Sequence, residues 1–304
     1  MNINVNKIAT LTAHSGAVYT LLQNSLRQNI FYSAGGDGRL IQWDLDNIET
    51  AVLLSKVPTN IFSMNNLLAQ DQILLGQMQG GIHVLDIAQK KEVKHLAFHK
   101  NGIFDIQVIE NGEAILVGGG DGLISLWSTD NFLLLKNKMI SEKSIRCLAV
   151  DTENLKIYAG CSDNYIYVLH YKTLEVLHKW QAHGNSVFSL CLSPDKKYLL
   201  SGSRDAHLSV WNIENEKYDL MVSQPAHLFT INDIIFNPEG NLFATAGRDK
   251  HLKIWDAQSF KLLKVIDKEK FDGHVNSVNK LLWHDYLISC SDDRSVMVWD
   301  IILL

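Results

Sequence analysis

Proline is scarce, four in 304 residues, which excludes a proline-rich linker or a long disordered tail as a major component. Cysteine is as sparse. Four residues without Cys-x-x-Cys spacing offer neither a disulfide framework nor a zinc ribbon, and they fit a reducing compartment. No Asn-x-Ser/Thr sequon occurs. No apolar run comes near the roughly 18 residues that a membrane-crossing helix needs; runs such as Phe132–Leu135 and Ile301–Leu304 are a few residues each. The opening Met1-Asn2-Ile3-Asn4 is polar and lacks the apolar stretch of a secretory signal, so the expected location is cytoplasmic. Positive charge is not in excess either: 28 Lys and Arg against 33 Asp and Glu leave a formal charge of −5, which disfavours nucleic acid or anionic lipid as partners.

Tryptophan, by contrast, is patterned. An apolar residue closing a short alternating run stands at Trp43, Leu85, Trp127, Leu169, Trp211, Trp255 and Trp299, at intervals of 42, 42, 42, 42, 44 and 44 residues. A constant period of this size marks stacked repeats of the kind that build propeller blades. Six residues before each anchor stand Asp37, Gln79, Asp121, Asp163, Asp205, Asp249 and Asp293. Ten before it stand Ser33, Leu75, Val117, Ala159, Ser201, Thr245 and Ser289. His14, His99, His183, His227 and His274 precede five anchors by 25 to 29 residues. Within a unit, Phe31-Tyr32-Ser33-Ala34 and Leu40-Ile41-Gln42-Trp43 alternate around the turn Gly36-Asp37-Gly38, a hairpin pattern. Ser193-Pro194-Asp195 and Asn237-Pro238-Glu239-Gly240 are turns between the first two strands of their units. Each unit is therefore an antiparallel sheet of four short strands, which has to bury its faces against its neighbours.

With Ser201-Gly202-Ser203-Arg204-Asp205 leading to Val210-Trp211-Asn212, and Ser289 leading to Val298-Trp299-Asp300, the chain resembles a WD-repeat β-propeller along its whole length. The resemblance implies an all-β fold: a seven-bladed β-propeller of four-stranded antiparallel blades occupying residues 1–304 as one domain. The last repeat reaches Leu304 without a fourth strand, and Lys7–His14 resembles the fourth-strand segment Glu175–His183. Residues 3–12 are thus expected to be the outer strand of blade 7, closing the ring and removing two open sheet edges. In the family the His, Ser/Thr, Asp and Trp positions form a buried chain, indole to hydroxyl to imidazole to carboxylate. The matching sets are His14, Ser33, Asp37, Trp43; His183, Ser201, Asp205, Trp211; His227, Thr245, Asp249, Trp255; and His274, Ser289, Asp293, Trp299. Blade 3 keeps His99, Asp121 and Trp127 but has Val117 at the hydroxyl position, and blades 2 and 4 have lost most of the set. The complete sets flank the closure, where they are expected to stiffen the ring.

Ser, His and Asp recurring together invite a hydrolase reading. A catalytic triad is assembled once, beside an oxyanion hole, whereas this trio repeats. Histidines spread around a ring do not converge on a metal ion. Gly118-Gly119-Gly120-Asp121-Gly122 lacks the Gly-Lys-Ser/Thr and the helix of a phosphate loop. No catalytic residue, metal or cofactor is expected. In WD-repeat proteins partners commonly use the wider top face around the channel mouth. The resemblance carries the mouth-lining position onto Tyr19, Phe62, Phe104, Arg146, Phe188, Asn232 and Asn279. It carries the top-facing position before each turn aspartate onto Gly36, Met78, Gly120, Ser162, Arg204, Arg248 and Asp292. Aromatics and arginine dominate binding hot spots, so Tyr19, Phe62, Phe104, Arg146, Phe188, Arg204 and Arg248 are the candidate partner-binding residues. The expected ligand is a peptide or loop of a protein partner, with an apolar anchor at the mouth and acidic groups toward blades 4 to 6. The longest insertion, around Asp267-Lys268-Glu269-Lys270, is expected on the same rim. Two other readings stay open at this level: a propeller enzyme with a hydrolytic or metal site at the mouth, and RNA stacked on the aromatic rim, the latter weakened by the net charge. No membrane partner is expected, and the chain would act as a monomer or as a subunit of a larger complex.

Overall fold

The computed structural model describes residues 2–24, 26–67, 71–109 and 112–304. Their strands form seven four-stranded antiparallel sheets, six of which run in chain order from an inner to an outer strand, as in Val18–Gln23, Ile30–Gly35, Arg39–Asp44 and Ala51–Lys56 of blade 1. The second and third strands are covered on both faces, which is why Ile30–Gly35 and Gly81–Asp86 read as near-continuous apolar or small runs. The outer strands, such as Lys91–Ala97 and Val176–Gln181, are mostly exposed, and these two carry lysine.

A lone four-stranded sheet cannot cover both its faces, and each blade solves this against its neighbours. The core divides into seven apolar clusters, each drawn from two adjacent blades. Every turn between the second and third strands has the same backbone, with a left-handed residue just after the aspartate position: Gly38, Gly80, Gly122, Asn164, Ala206, Lys250 and Arg294. At Gly38 a Cβ would lie 2.2 Å from the Val57 carbonyl oxygen, so glycine is what lets the following loop approach this closely.

Blade 7 closes the ring. Ile3–Leu11 pairs antiparallel with Val296–Leu303, from Ile3 opposite Leu303 to Leu11 opposite Val296. Ile3 and Val5 enter the cluster between blades 6 and 7, and Leu11 enters the one between blades 7 and 1. Each such burial stabilises by about 1.5–3 kcal/mol. The long insertion serves this closure instead of projecting as a free rim loop. Asp267 caps a single helical turn, Lys268–Phe271, by accepting the Lys270 amide at 2.8 Å. Phe271 packs on the cluster that holds Ile3 and Val5, while the Asp272 carboxylate pairs with Lys7 of the N-terminal strand and with Lys268.

Removing residues 1–12 leaves the Val296–Leu303 edge unpaired and takes Ile3, Val5 and Leu11 out of the two flanking apolar clusters. The shortened protein should elute as aggregate on size exclusion and lose its cooperative calorimetric transition; a monodisperse, cooperatively melting product would contradict the closure.

Candidate interaction face at the channel mouth

The loops of the top face are fixed from below by buried hydrogen bonds. In blade 1 the Trp43 indole donates to the Ser33 hydroxyl at 2.7 Å, His14 Nε2 lies 2.8 Å from the same hydroxyl, and His14 Nδ1 lies 3.1 Å from the Asp37 carboxylate. Asp37 also accepts the Ser15 and Arg39 amides, so one carboxylate holds both the loop entering the blade and the turn within it. The same bonds join His183, Ser201, Asp205 and Trp211; His227, Thr245, Asp249 and Trp255; and His274, Ser289, Asp293 and Trp299. The Ser and Thr hydroxyls in these sets have no route to a substrate, because all four residues are fully buried and each hydroxyl already receives an indole N–H.

Blade 3 corrects the sequence reading. Val117 carries no hydroxyl, yet the network is complete: Ser125, directly opposite Val117 on the next strand, accepts the Trp127 indole at 2.8 Å and lies 2.8 Å from His99 Nε2. Five blades therefore hold the network, and blade 3 lies away from the closure, which removes the basis for linking complete sets to the closure. Blades 2 and 4 substitute other groups. In blade 4, Ser141 and Tyr167 both donate to Asp163 at 2.7 Å. In blade 2, Thr59 donates to Gln77, whose amide lies 3.2 Å from His95 Nε2. His95 stacks on His83 at 4.7 Å. His83 is 3.2 Å from the Glu92 carboxylate, an ion-pair distance without hydrogen-bond alignment, so its buried ring nitrogens lack hydrogen-bond partners. The aspartate position itself, Gln79, is exposed.

The mouth is built by a second repeated device. In all seven innermost strands the register slips across one residue, and that residue is the mouth position: Tyr19, Phe62, Phe104, Arg146, Phe188, Asn232 or Asn279. A bulged residue leaves the ladder and re-aims its side chain. All seven line one central cavity of about 250 Å³, with Asp105, Asp233 and Lys280 deeper in its wall. Five of them touch in sequence. Tyr19 meets Phe62 at 5.3 Å between centroids, Phe62 stacks on Phe104 at 5.5 Å, and the Arg146 guanidinium lies 4.2 Å from Phe104 and 5.0 Å from Phe188. Arg146 Nε donates to Ser162 at 2.9 Å. Burial, more than the nearby Arg204, lowers its pKa. The two asparagines are already engaged: Asn232 donates to Ser277 and the Val278 carbonyl, and Asn279 to the Val18 carbonyl and Asp292.

Inside the channel the bonds tie blades together. Asp105 accepts the Leu148 amide of blade 4, and Asp233 accepts the Leu281 amide of blade 7 and the Lys280 ammonium at 2.8 Å. Burial pushes the Asp105 carboxyl up, against the pull of Lys280. Burial alone would lower Lys280, but Asp233 and Asp105 hold it above its ordinary value.

Arg204 and Arg248 do not line the cavity; both are exposed on the top face outside it. The same face carries three exposed apolar residues that the sequence reading passed over: Leu228 at 75%, Phe229 at 59% and Val275 at 53% exposure. Leu228 and Val275 follow the network histidine, where blades 1, 3 and 5 have Ser15, Lys100 and Gly184, so an apolar residue at that step was the available signal. Their backbone is fixed, since the Leu228 and Val275 amides donate to Asp249 and Asp293.

Five segments match the family described as WD domain, G-beta repeat: residues 5–44, 88–128, 174–212, 219–256 and 266–300, more than half of the chain. The chain belongs to the WD-repeat family. The unmatched stretches between them contain the first three strands of blades 2 and 4, the two that replaced the histidine network. Among curated WD-repeat relatives, it is 28% identical over 211 residues to protein lethal(2)denticleless of Drosophila melanogaster, covering 63% of this chain and 26% of that protein. It is 23% identical over 239 residues to striatin of Mus musculus, covering 71% and 30%. The chain thus spans less than a third of the length of either relative. The WD40 β-propeller domain of Doa1 superposes with a TM-score of 0.85 at 17% identity, over 98% of this chain and 97% of that one, which shows the shared fold.

Two outcomes follow from the networks. Ser125→Val strips His99 and Trp127 of their shared hydroxyl and should cost about 1–3 kcal/mol for each orphaned group, read as a lower urea midpoint. Restoring the hydroxyl across the strand in Val117→Ser/Ser125→Val should recover most of that loss, and a double variant no better than the single one would refute the exchange. The second outcome concerns pH. Burial lowers the pKa of His14 and His227 below 6.5 despite the Asp37 and Asp249 hydrogen bonds. The unfolded chain then takes up protons first, so this stability is full above about pH 6.5 and is lost as pH falls through the folded values. Burial would raise Asp249, but His227 and two amides hold it at about 2, so its contribution is lost below about pH 4. The urea midpoint should fall from pH 7 to 5 and again below 4; a rise on acidification would contradict these shifts.

Proposed function

We propose that the chain is a non-catalytic protein-interaction scaffold that seats a peptide or loop at the channel mouth. The observation that carries this reading is the continuous arc of Tyr19, Phe62, Phe104, Arg146 and Phe188, five bulged, half-buried side chains that face the mouth. An open aromatic surface gains free energy when covered, and aromatics with arginine make efficient anchors. Arg146 sits between two rings with no carboxylate beside it among the described residues, so an arriving acidic group would meet a poorly hydrated cation. Arg204 and Arg248 extend the positive side of the face across blades 5 and 6, and Leu228 and Phe229 add apolar surface there. A ligand with an apolar anchor and acidic flanks toward blades 4 to 6 matches this distribution. Membership in the WD-repeat family supports the scaffold reading. Four unpaired cysteines, whose thiols burial pushes up, are in keeping with a reducing, cytoplasmic setting.

Phe104→Ala/Arg146→Ala/Phe188→Ala should abolish capture of the native partner while the circular dichroism spectrum and cooperative melting persist. Unchanged capture by the folded triple variant would place the site elsewhere.

A further inference from the structure

The opposite face carries a second concave surface. Between blades 5 and 6 the turns Ser193-Pro194-Asp195 and Asn237-Pro238-Glu239-Gly240 border a groove of about 430 Å³. Its floor is Tyr198, Phe236 and Phe260, all half-buried. Tyr198 meets Phe260 edge-on at 5.7 Å. Phe236 and Phe260 both rest on the buried Phe243, at 5.6 and 6.5 Å, and Phe243 stacks on Trp255 at 5.9 Å. The Phe260 turn is pinned, its amide donating to the Asp256 carbonyl and its carbonyl accepting the Gln224 amide at 2.9 Å. The floor is therefore preformed on the core of the blade interface. The two turns sit close because Gly240 has no Cβ, which would come within 3.0 Å of the Pro194 ring.

The charged side chains that line the groove, Asp195 and Glu239, are both acidic. Asp195 accepts the Ser193 hydroxyl and the Lys197 amide, and Glu239 accepts the Asn237 amide. Neither carboxylate pairs with a cationic side chain among the described residues; Lys197 is turned to Glu214 at 3.8 Å. Asp256 stands behind the groove with its carboxylate filled by Ser259, whose hydroxyl bond lowers its pKa. An aromatic floor under two unpaired carboxylates favours an apolar side chain whose neighbours are cationic, and it repels an acidic segment. The mouth asks for the reverse charge.

We propose that this groove docks a segment of a partner protein in which a large apolar side chain is flanked by arginine or lysine, independently of the channel mouth. The test is selection of random displayed peptides on the full chain, followed by binding of the selected peptides to variants. Ala257→Arg fills the groove with bulk and positive charge; Asp195→Asn/Glu239→Gln keeps the shape of two exposed side chains and removes their charge. Peptides that lose binding to Ala257→Arg should carry an apolar residue beside arginine or lysine and weaken about tenfold on Asp195→Asn/Glu239→Gln. They should bind Phe104→Ala/Arg146→Ala/Phe188→Ala unchanged. Three results would overturn the assignment: groove-dependent peptides that are acidic or uncharged beside the apolar residue, affinity indifferent to Asp195→Asn/Glu239→Gln, or no peptide lost on filling the groove. Should Ala257→Arg fail to fold, the charge-neutral variant alone decides, since loss of the basic-flanked peptides is required of it.

Discussion

One slip in register, repeated in each innermost strand, governs the top of this molecule. A regular ladder would alternate side chains between the two faces of the sheet, toward neighbouring blades. Skipping one residue frees Tyr19, Phe62, Phe104, Arg146, Phe188, Asn232 and Asn279 from that alternation and turns them to the channel. Because the slip is a backbone feature, the side chain at that point is free to vary while the blade beneath stays the same. Five of the seven have become an aromatic and arginine arc, and two have become asparagines that bind neighbouring blades. Adjacent positions thus differ in what they do in the fold: Phe104 faces the mouth while Asp105 ties blade 3 to blade 4.

The histidine networks do complementary work, holding the loops that surround the mouth. Their requirement is a hydroxyl between an indole and an imidazole, and two positions facing each other across a strand pair can supply it. Val117 and Ser125 exchange the role in blade 3, which a fixed spacing from tryptophan cannot register. Blades 2 and 4 show that the whole set is replaceable when other buried groups donate to the aspartate, as Tyr167 and Ser141 do to Asp163, or fill the gap. A network kept or replaced as a unit avoids the cost of orphaned buried donors.

The ring, its closure and its mouth positions were legible in the sequence because each depends on a local pattern repeated at a near-constant period. The groove on the far face was not. Pro194, Tyr198, Phe236, Glu239 and Phe260 sit at unrelated places in two repeats, and only the stacking of blade 5 on blade 6 brings them together. The contacts of the insertion before His274 were hidden for a similar reason. Its charges look like a solvated rim loop until Phe271 and Asp272 are seen to meet the N-terminal strand, more than 260 residues away in the chain. Leu228 and Phe229 had a weaker signal, an apolar pair at a step that is small or polar in blades 1, 3 and 5.

The two faces differ in the sign of what they leave unpaired. At the mouth the uncompensated group is a guanidinium between aromatic rings; in the groove it is a pair of carboxylates above an aromatic floor. Apolar area alone would make both surfaces sticky toward the same segments. If both proposed sites are occupied, opposite charges at their edges would make each surface reject what the other accepts, which is how specificity is obtained from similar apolar floors. A rigid ring with inequivalent edges can then hold two segments on opposite faces without competition between them, and rigidity is what the closed seven-sheet core provides.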